Sequence, residues 1–173
     1  FLIFAATDNE SGYATVINKI YILLYKMKSQ IIREIKETDY PVLVGIWESA
    51  VLHTHDFLKQ KDFLYYKENL INYFRYVSLY GFEQDQKLVG FIGTANSNIE
   101  MLFVHNDYRS MGIGKKLVLH AIHNLSVSKV DVNEQNLQAV KFYQHIGFSI
   151  VARSAVDGEG MAYPILHMQL STI

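Results

Sequence analysis

The hydrophobic period of this chain alternates between helix-like and strand-like in one order, and that order constrains the fold more than any single residue. Gln30 to Ile35 is a short β-rich run. Thr38 is placed to cap a helix, with Pro41 in its first turn, where a missing N–H costs little. Leu43, Ile46, Trp47 and Ala50 recur at i, i+3, i+4 and i+7, one helix face. A loop through His53, His55 and Phe57 leads to a second helix over about Lys61 to Val77. The period then changes. Ser78 to Phe82 and Lys87 to Thr94 form a hairpin around Glu83 to Gln86, and Asn98 to His105 is a third strand. Gly112 to Leu125 is helical, Val127 to Val132 is a strand, and Asn136 to Ile146 is a helix that Gly147 ends in a left-handed turn. Phe148 to Ser154 and Tyr163 to Gln169 close the chain, with Asp157-Gly158 as turn material. The order βααβββαβαββ is that of an α/β protein, a mixed sheet with helices on its faces.

Composition narrows the function classes. A chain of 173 residues with 50% hydrophobic and 19% charged residues supports one domain with a proper core. Sixteen Lys+Arg against 17 Asp+Glu leave a net charge of −1, which removes the usual electrostatic reason for nucleic acid or an anionic membrane as main partner. The absence of cysteine excludes disulfides, thiolate metal sites and a cysteine nucleophile, and a reducing cytoplasm fits best. Residues 1–26 read differently from the rest. Their two apolar stretches are too short for a spanning helix and lack a basic start, so they are expected to be an added or upstream extension, with Met27 as the natural start of a 27–173 domain.

The most informative segment runs from Ile99 to Lys116: a strand, a short loop, then a helix that opens with Gly112 and Gly114. Free N–H groups and the dipole at a helix start attract anions, and glycines let backbone approach them closely. The segment fails the Walker pattern twice, because Arg109 stands where its first glycine belongs and Lys116 follows Lys115. It also fails the dinucleotide fingerprint, where Leu117 replaces the third glycine. Arg109-x-x-Gly112-x-Gly114 remains, a spacing that suits a pyrophosphate.

This motif, placed after Met101-Leu102-Phe103-Val104, resembles the pyrophosphate motif of the GNAT N-acetyltransferase superfamily. A second match lies downstream, where Asn136, Ala139, Phe142, Tyr143, Gly147 and Phe148 fill that family's N-x-x-A-x-x-F-Y-x-x-x-G-F stretch. The similarity covers about residues 30–170. The His53 to Leu58 loop and the Pro164-containing last strand are similar to one bacterial branch of the family. Two positions depart from the pattern: Asn106 stands where proline is frequent, and Ser110 where glycine is.

The resemblance implies acetyl-CoA as donor, no metal, and direct transfer to an amine in a ternary complex. The acceptor is a small molecule or a protein lysine or N-terminus. It further implies that the strand Leu102, Phe103, Val104 and its splayed parallel neighbour form a slot for the cofactor. Arg109, Ser110, Met111, Gly112, Ile113, Gly114 and Lys115 would hold the pyrophosphate, with added charge from Lys116, and Asn136 would contact the cofactor. Tyr143 would be the general acid, since a phenol is protonated at neutral pH. Glu100, Asp131 and His55 are the candidate bases, with a water relay as the alternative. His55 and Tyr163 are candidates for the acceptor side. The pairs His53/His55 and His120/His123 lack an acidic partner at ligand spacing, so a solvated reading is preferred to a metal. Tyr65, Tyr66, Tyr73, Tyr76 and Tyr80 are expected in the core and rim, some of them lining the acceptor pocket. A cofactor-binding sensor without catalysis is the competing class. The intact Tyr143 and Asn136 argue against it. Monomer and homodimer are both compatible with the sequence.

Overall fold

The computed structural model describes residues 13, 15–17, 19–20 and 30–171. The expected extension therefore lies mostly outside the described residues. The elements are β1 (Gln30–Glu34), α1 (Tyr40–Leu52), α2 (Gln60–Phe74), β2 (Ser78–Gln84), β3 (Lys87–Ala95) and β4 (Asn98–Val104). After these come α3 (Ile113–Leu125), β5 (Lys129–Asn133), α4 (Leu137–Ile146), β6 (Phe148–Ser154) and β7 (Ile165–Leu170). The order is the one the periodicity predicts. The strands form one sheet in the order β1-β2-β3-β4-β5-β7-β6. Every neighbouring pair is antiparallel except β4 and β5.

Helices cover both faces. Leu117, Val118 and Ala121 of α3 and Val140 and Tyr143 of α4 are buried against Ile92, Ile99, Val130 and Met168 of the sheet. Leu43, Ile46 and Trp47 of α1 and Leu70 and Phe74 of α2 form a second core with Phe91 on the other face. No helix among the described residues is long and apolar enough to cross a membrane.

The boundaries correct several expectations. Thr38 does not cap α1: it sits inside a 3-10 turn, Glu37–Asp39, and Asp39 occupies the cap position without a capping side chain. The Asp39 carboxylate instead accepts the Lys36 N–H at 2.9 Å and pairs with Arg33 at 2.8 Å. The second helix stops at Phe74, three residues short of Val77. The β2–β3 hairpin is tighter than expected, because Asp85 and Gln86 both take positive φ (51° and 64°), the two-residue turn that matches strand twist. Tyr163 and Pro164 precede β7 rather than belonging to it.

Two irregularities shape the centre. β4 and β5 are paired only at Asn98–Lys129 and Ile99–Val130, after which the strands part. On its other side β4 carries a bulge: Met101 faces Gly93 and Ile99 faces Thr94, leaving Glu100 as the extra residue.

Candidate active site

Where β4 and β5 part, a cavity of about 480 Å³ opens. Leu102, Phe103 and Val104 form one wall, and the β5 side of these residues has no strand partner. The loop and first turn of α3 form another, with Arg109, Ser110, Gly112, Ile113, Gly114 and Lys115. The first intrahelical bond of α3 runs from the Lys116 N–H to the Gly112 carbonyl at 3.1 Å. The N–H groups of Ile113, Gly114 and Lys115 therefore have no acceptor within the helix, and they form the partial positive end of its dipole. Gly112 holds φ +79°, and a Cβ there would meet no atom within 4 Å, so the open space above it is cavity. Gly114 faces Phe142 of α4, where a Cβ would make an ordinary contact at 3.4 Å. Ser110, with φ 61°, holds a left-handed conformation that glycine would adopt at lower cost. These donors fit an extended phosphorylated ligand.

Arg109 reaches across the mouth to the Gln138 side chain at 2.7 Å. Lys116 does not join the cavity. It turns to Gln30 on β1 and lies over the Phe82 ring, 5.5 Å from its centroid. Met111 is exposed and lies outside the lining.

α4 supplies the far wall. Asn136 caps it, accepting the Ala139 N–H at 3.0 Å, and also lines the cavity. Tyr143 is 5% exposed and lines the cavity, with its ring edge-to-face against Phe142 and Phe148 at 5.1 and 5.6 Å. Gly147 has φ 112° and ends the helix, which brings Phe148 back onto Tyr143. Burial pushes the Tyr143 hydroxyl well above the ordinary phenol range, so it keeps its proton at any ordinary pH.

A second cavity of about 220 Å³ lies on the α1–α2 side. Its walls include Trp47, Phe57, Leu70 and Met101, with Glu100, Asp157, Tyr66, Tyr73 and Tyr163 as polar groups. The bulge places Glu100 and Met101 together on this wall. His55 and Phe103 line both cavities, so the two meet at these side chains. Burial lowers the His55 pKa from 6.5 to about 4; Asp56 opposes the shift and Arg109 adds to it.

The loop between β6 and β7 closes the second cavity. Asp157 is its hub: Oδ1 accepts the Glu159 and Met161 N–H groups at 3.0 and 2.9 Å, and Oδ2 accepts a short hydrogen bond from Tyr66. Tyr65 and Tyr73 donate to Glu159 at 2.9 and 3.1 Å, and Tyr163 donates to Asp62 at 2.6 Å. Burial, then the bonded carboxylate, raises the pKa of Tyr66 and of Tyr73. Of the tyrosine run, Tyr66 and Tyr73 line the cavity, whereas Tyr76 is solvent-exposed and Tyr80 packs on His120. The sequence places some of these tyrosines on the acceptor pocket, but not Asp157 or the bonds that tie Tyr66 and Tyr73 to the β6–β7 loop, because those bonds join residues about ninety positions apart.

Asp131 is not brought to either cavity. Its Oδ1 accepts from His167 Nδ1 at 2.6 Å, and His167 Nε2 meets Ser154 Oγ at 2.7 Å. His120 is partly buried rather than fully solvated. Its ring lies tilted against Tyr80 with centroids 5.2 Å apart, burial lowers its pKa, and its Nε2 is buried without a partner. No group of three or more metal-ligating side chains occurs among the described residues.

Comparison with known proteins agrees with this geometry. Residues 58–171 match the family model described as acetyltransferase (GNAT) domain. The chain is 36% identical to the peptidyl-lysine N-acetyltransferase YjaB of Salmonella typhimurium over 138 residues, 79% of this chain and 95% of that protein. Against YjaB of Escherichia coli it is 37% identical over 142 residues, 79% of this chain and 94% of that one. The solution structure of the apo form of Escherichia coli YjaB superposes with a TM-score of 0.75 at 33% identity, covering 83% of this chain and 99% of that chain. The strand order, the parted strands and these matches lead to one conclusion: the chain belongs to the GNAT acetyltransferase family.

Proposed function

We propose that this protein transfers the acetyl group of acetyl-CoA to a primary amine, with a lysine side chain of a peptide or protein as the favoured acceptor. The observation that carries this reading is the meeting of two unlike cavities at His55 and Phe103. The first offers helix-end N–H groups and Arg109 to a pyrophosphate, and the parted strands to an extended chain. The second has the apolar walls that a four-carbon stem requires and the carboxylates of Glu100 and Asp157 to draw in a cation. The relatives named as peptidyl-lysine acetyltransferases favour the same acceptor. The absence of cysteine supports work in the cytoplasm.

Acetyl-CoA supplies an activated acetyl carbon and a thiolate leaving group. The chain's own part is to hold the donor and manage protons. Ile113, Gly114 and Lys115 bind phosphate through backbone N–H groups, and β4 presents unpaired backbone beside the slot. Tyr143 holds its proton until the sulfur leaves. Burial also disfavours a bare thiolate, so sulfur takes the Tyr143 proton as the C–S bond breaks at that wall.

The test is release of free thiol from acetyl-CoA across a panel of amines, amino acids and lysine peptides. The protein has no cysteine, so a thiol reagent reports CoA alone. Release that depends on a lysine peptide is the expected result. Tight acetyl-CoA binding with no acceptor-dependent release would leave a binding module instead.

A further inference from the structure

His55 joins the two cavities, and its hydrogen bonds fix which of its nitrogens is free. The Thr54 hydroxyl lies 2.9 Å from the Ala50 carbonyl and 2.7 Å from His55 Nδ1. A hydroxyl has one proton, and a carbonyl only accepts. Both contacts are satisfied together in a single arrangement: Thr54 donates to Ala50, and the His55 Nδ1–H donates to Thr54. Nε2 then carries the lone pair. The backbone is held on both sides, with the His55 N–H on the Val51 carbonyl at 3.0 Å and its own carbonyl accepting the Leu58 N–H at 2.8 Å. The ring leans on Phe57, with centroids 5.2 Å apart. This is an oriented, uncharged imidazole with an unused acceptor atom on the wall that donor and acceptor cavities share.

We propose that His55 Nε2 takes the proton of the acceptor amine during transfer, with Thr54 as the positioning residue that sets its tautomer. The proposal rests on the acetyltransferase reading above. The acceptor's ammonium form first releases one proton to solvent; the neutral amine nitrogen then bonds to the acetyl carbon and the C–S bond breaks. The nitrogen's proton passes to His55 Nε2, and the sulfur takes the Tyr143 hydroxyl proton. His55 then releases its proton to solvent and Tyr143 regains one, so the chain ends as it began. A weakly basic imidazole suffices, because nitrogen bonded to an acyl carbon gives up a proton far more readily than a free ammonium does. The other groups fit this role less well. Glu100 is solvent-exposed and shared with Asn98 at 2.9 Å, and Asp131 is committed to His167.

The experiment compares the wild type with His55→Ala, His55→Gln and Glu100→Gln, using the panel amine that the wild type acetylates fastest. Calorimetry with acetyl-CoA confirms that each variant is folded. Both His55 variants should lose at least about 10²-fold in kcat, the range of general-base catalysis, with acetyl-CoA affinity nearly unchanged. Free imidazole should restore turnover to His55→Ala and leave the wild type unaffected. Nitrogen NMR of the ligand-free protein at neutral pH should show His55 as the Nδ1–H tautomer, shifting toward Nε2–H in Thr54→Val. A wild-type kcat in either His55 variant overturns the proposal, as does an Nε2–H tautomer in the wild type. A loss confined to Glu100→Gln transfers the role to that carboxylate and overturns it too. Failure of the wild type itself to release thiol with any amine overturns the acetyltransferase reading, and that result is visible without a variant.

Discussion

Tyr143 shows how much one buried hydroxyl depends on its surroundings. Its ring is fixed by Phe142 and Phe148, and among the described residues none hydrogen-bonds its oxygen. Tyr143→Phe keeps that packing and removes only the hydroxyl. Turnover should fall by roughly 10²-fold or more, within the range of general acid catalysis, while acetyl-CoA affinity measured by calorimetry stays close to the wild-type value. Unchanged turnover would free Tyr143 from that role. Residues of this kind were legible because a fixed spacing carried them: Asn136, Tyr143, Gly147 and Phe148 sit on one helix and its end. Residues whose partners lie far away in sequence were not. Nothing local tells that Lys116 turns to Gln30, that Asp131 is taken by His167, or that His120 packs against Tyr80. Sequence neighbours say nothing of these contacts, and each is governed by another strand.

At the level of elements, the join between β4 and α3 does most to build the donor site. Gly112 combines a left-handed backbone with empty space where a side chain would sit. Gly112→Ala forces an L-residue into that conformation, at a cost of about 1–2 kcal/mol. It also sets a methyl group in the cavity. Urea unfolding should show a loss of that size, and acetyl-CoA should bind about tenfold more weakly or worse, equal to roughly 1.4 kcal/mol. Wild-type affinity in this variant would mean that the ligand does not approach the helix start. The order and type of the elements were readable because each has an apolar period of its own. Their ends were less so, because caps depend on partners. Arg33 and Lys36 draw Asp39 into a 3-10 turn, so Thr38 has no helix to cap. The loop after β6 reads as a simple turn at Asp157-Gly158. It is instead a clasp, because three tyrosines of α2 bond its carboxylates.

Across the whole molecule, the sheet faces are covered unequally. α3 and α4 span one face and bury the larger core, whereas α1 and α2 cover only the part of the opposite face around β3 and β4. Stability should therefore concentrate in the α3 core. Leu117, fully buried at its centre, is the test: Leu117→Ala should cost about 2–5 kcal/mol, read as a shift in the urea midpoint with an unchanged slope. A cost below about 1 kcal/mol would place the main core elsewhere.

The short ladder between β4 and β5 has a mechanical consequence. Among the described residues, the ladder between strands β1 to β4 and strands β5 to β7 is two residue pairs long, begun by the Ser128 and Lys129 N–H groups on the Ser97 carbonyl, so the sheet is two plates with a short seam rather than one continuous blade. Side chains bind the plates: Ile99 and Val130 from the strands, with Leu117 and Val118 of α3 beneath them. Packed side chains resist separation strongly, yet they permit small rotations that a full ladder of hydrogen bonds would forbid. The width of the slot is then set by how the two halves are twisted against each other, a twist that side-chain packing against α3, and not a ladder of hydrogen bonds, holds in place.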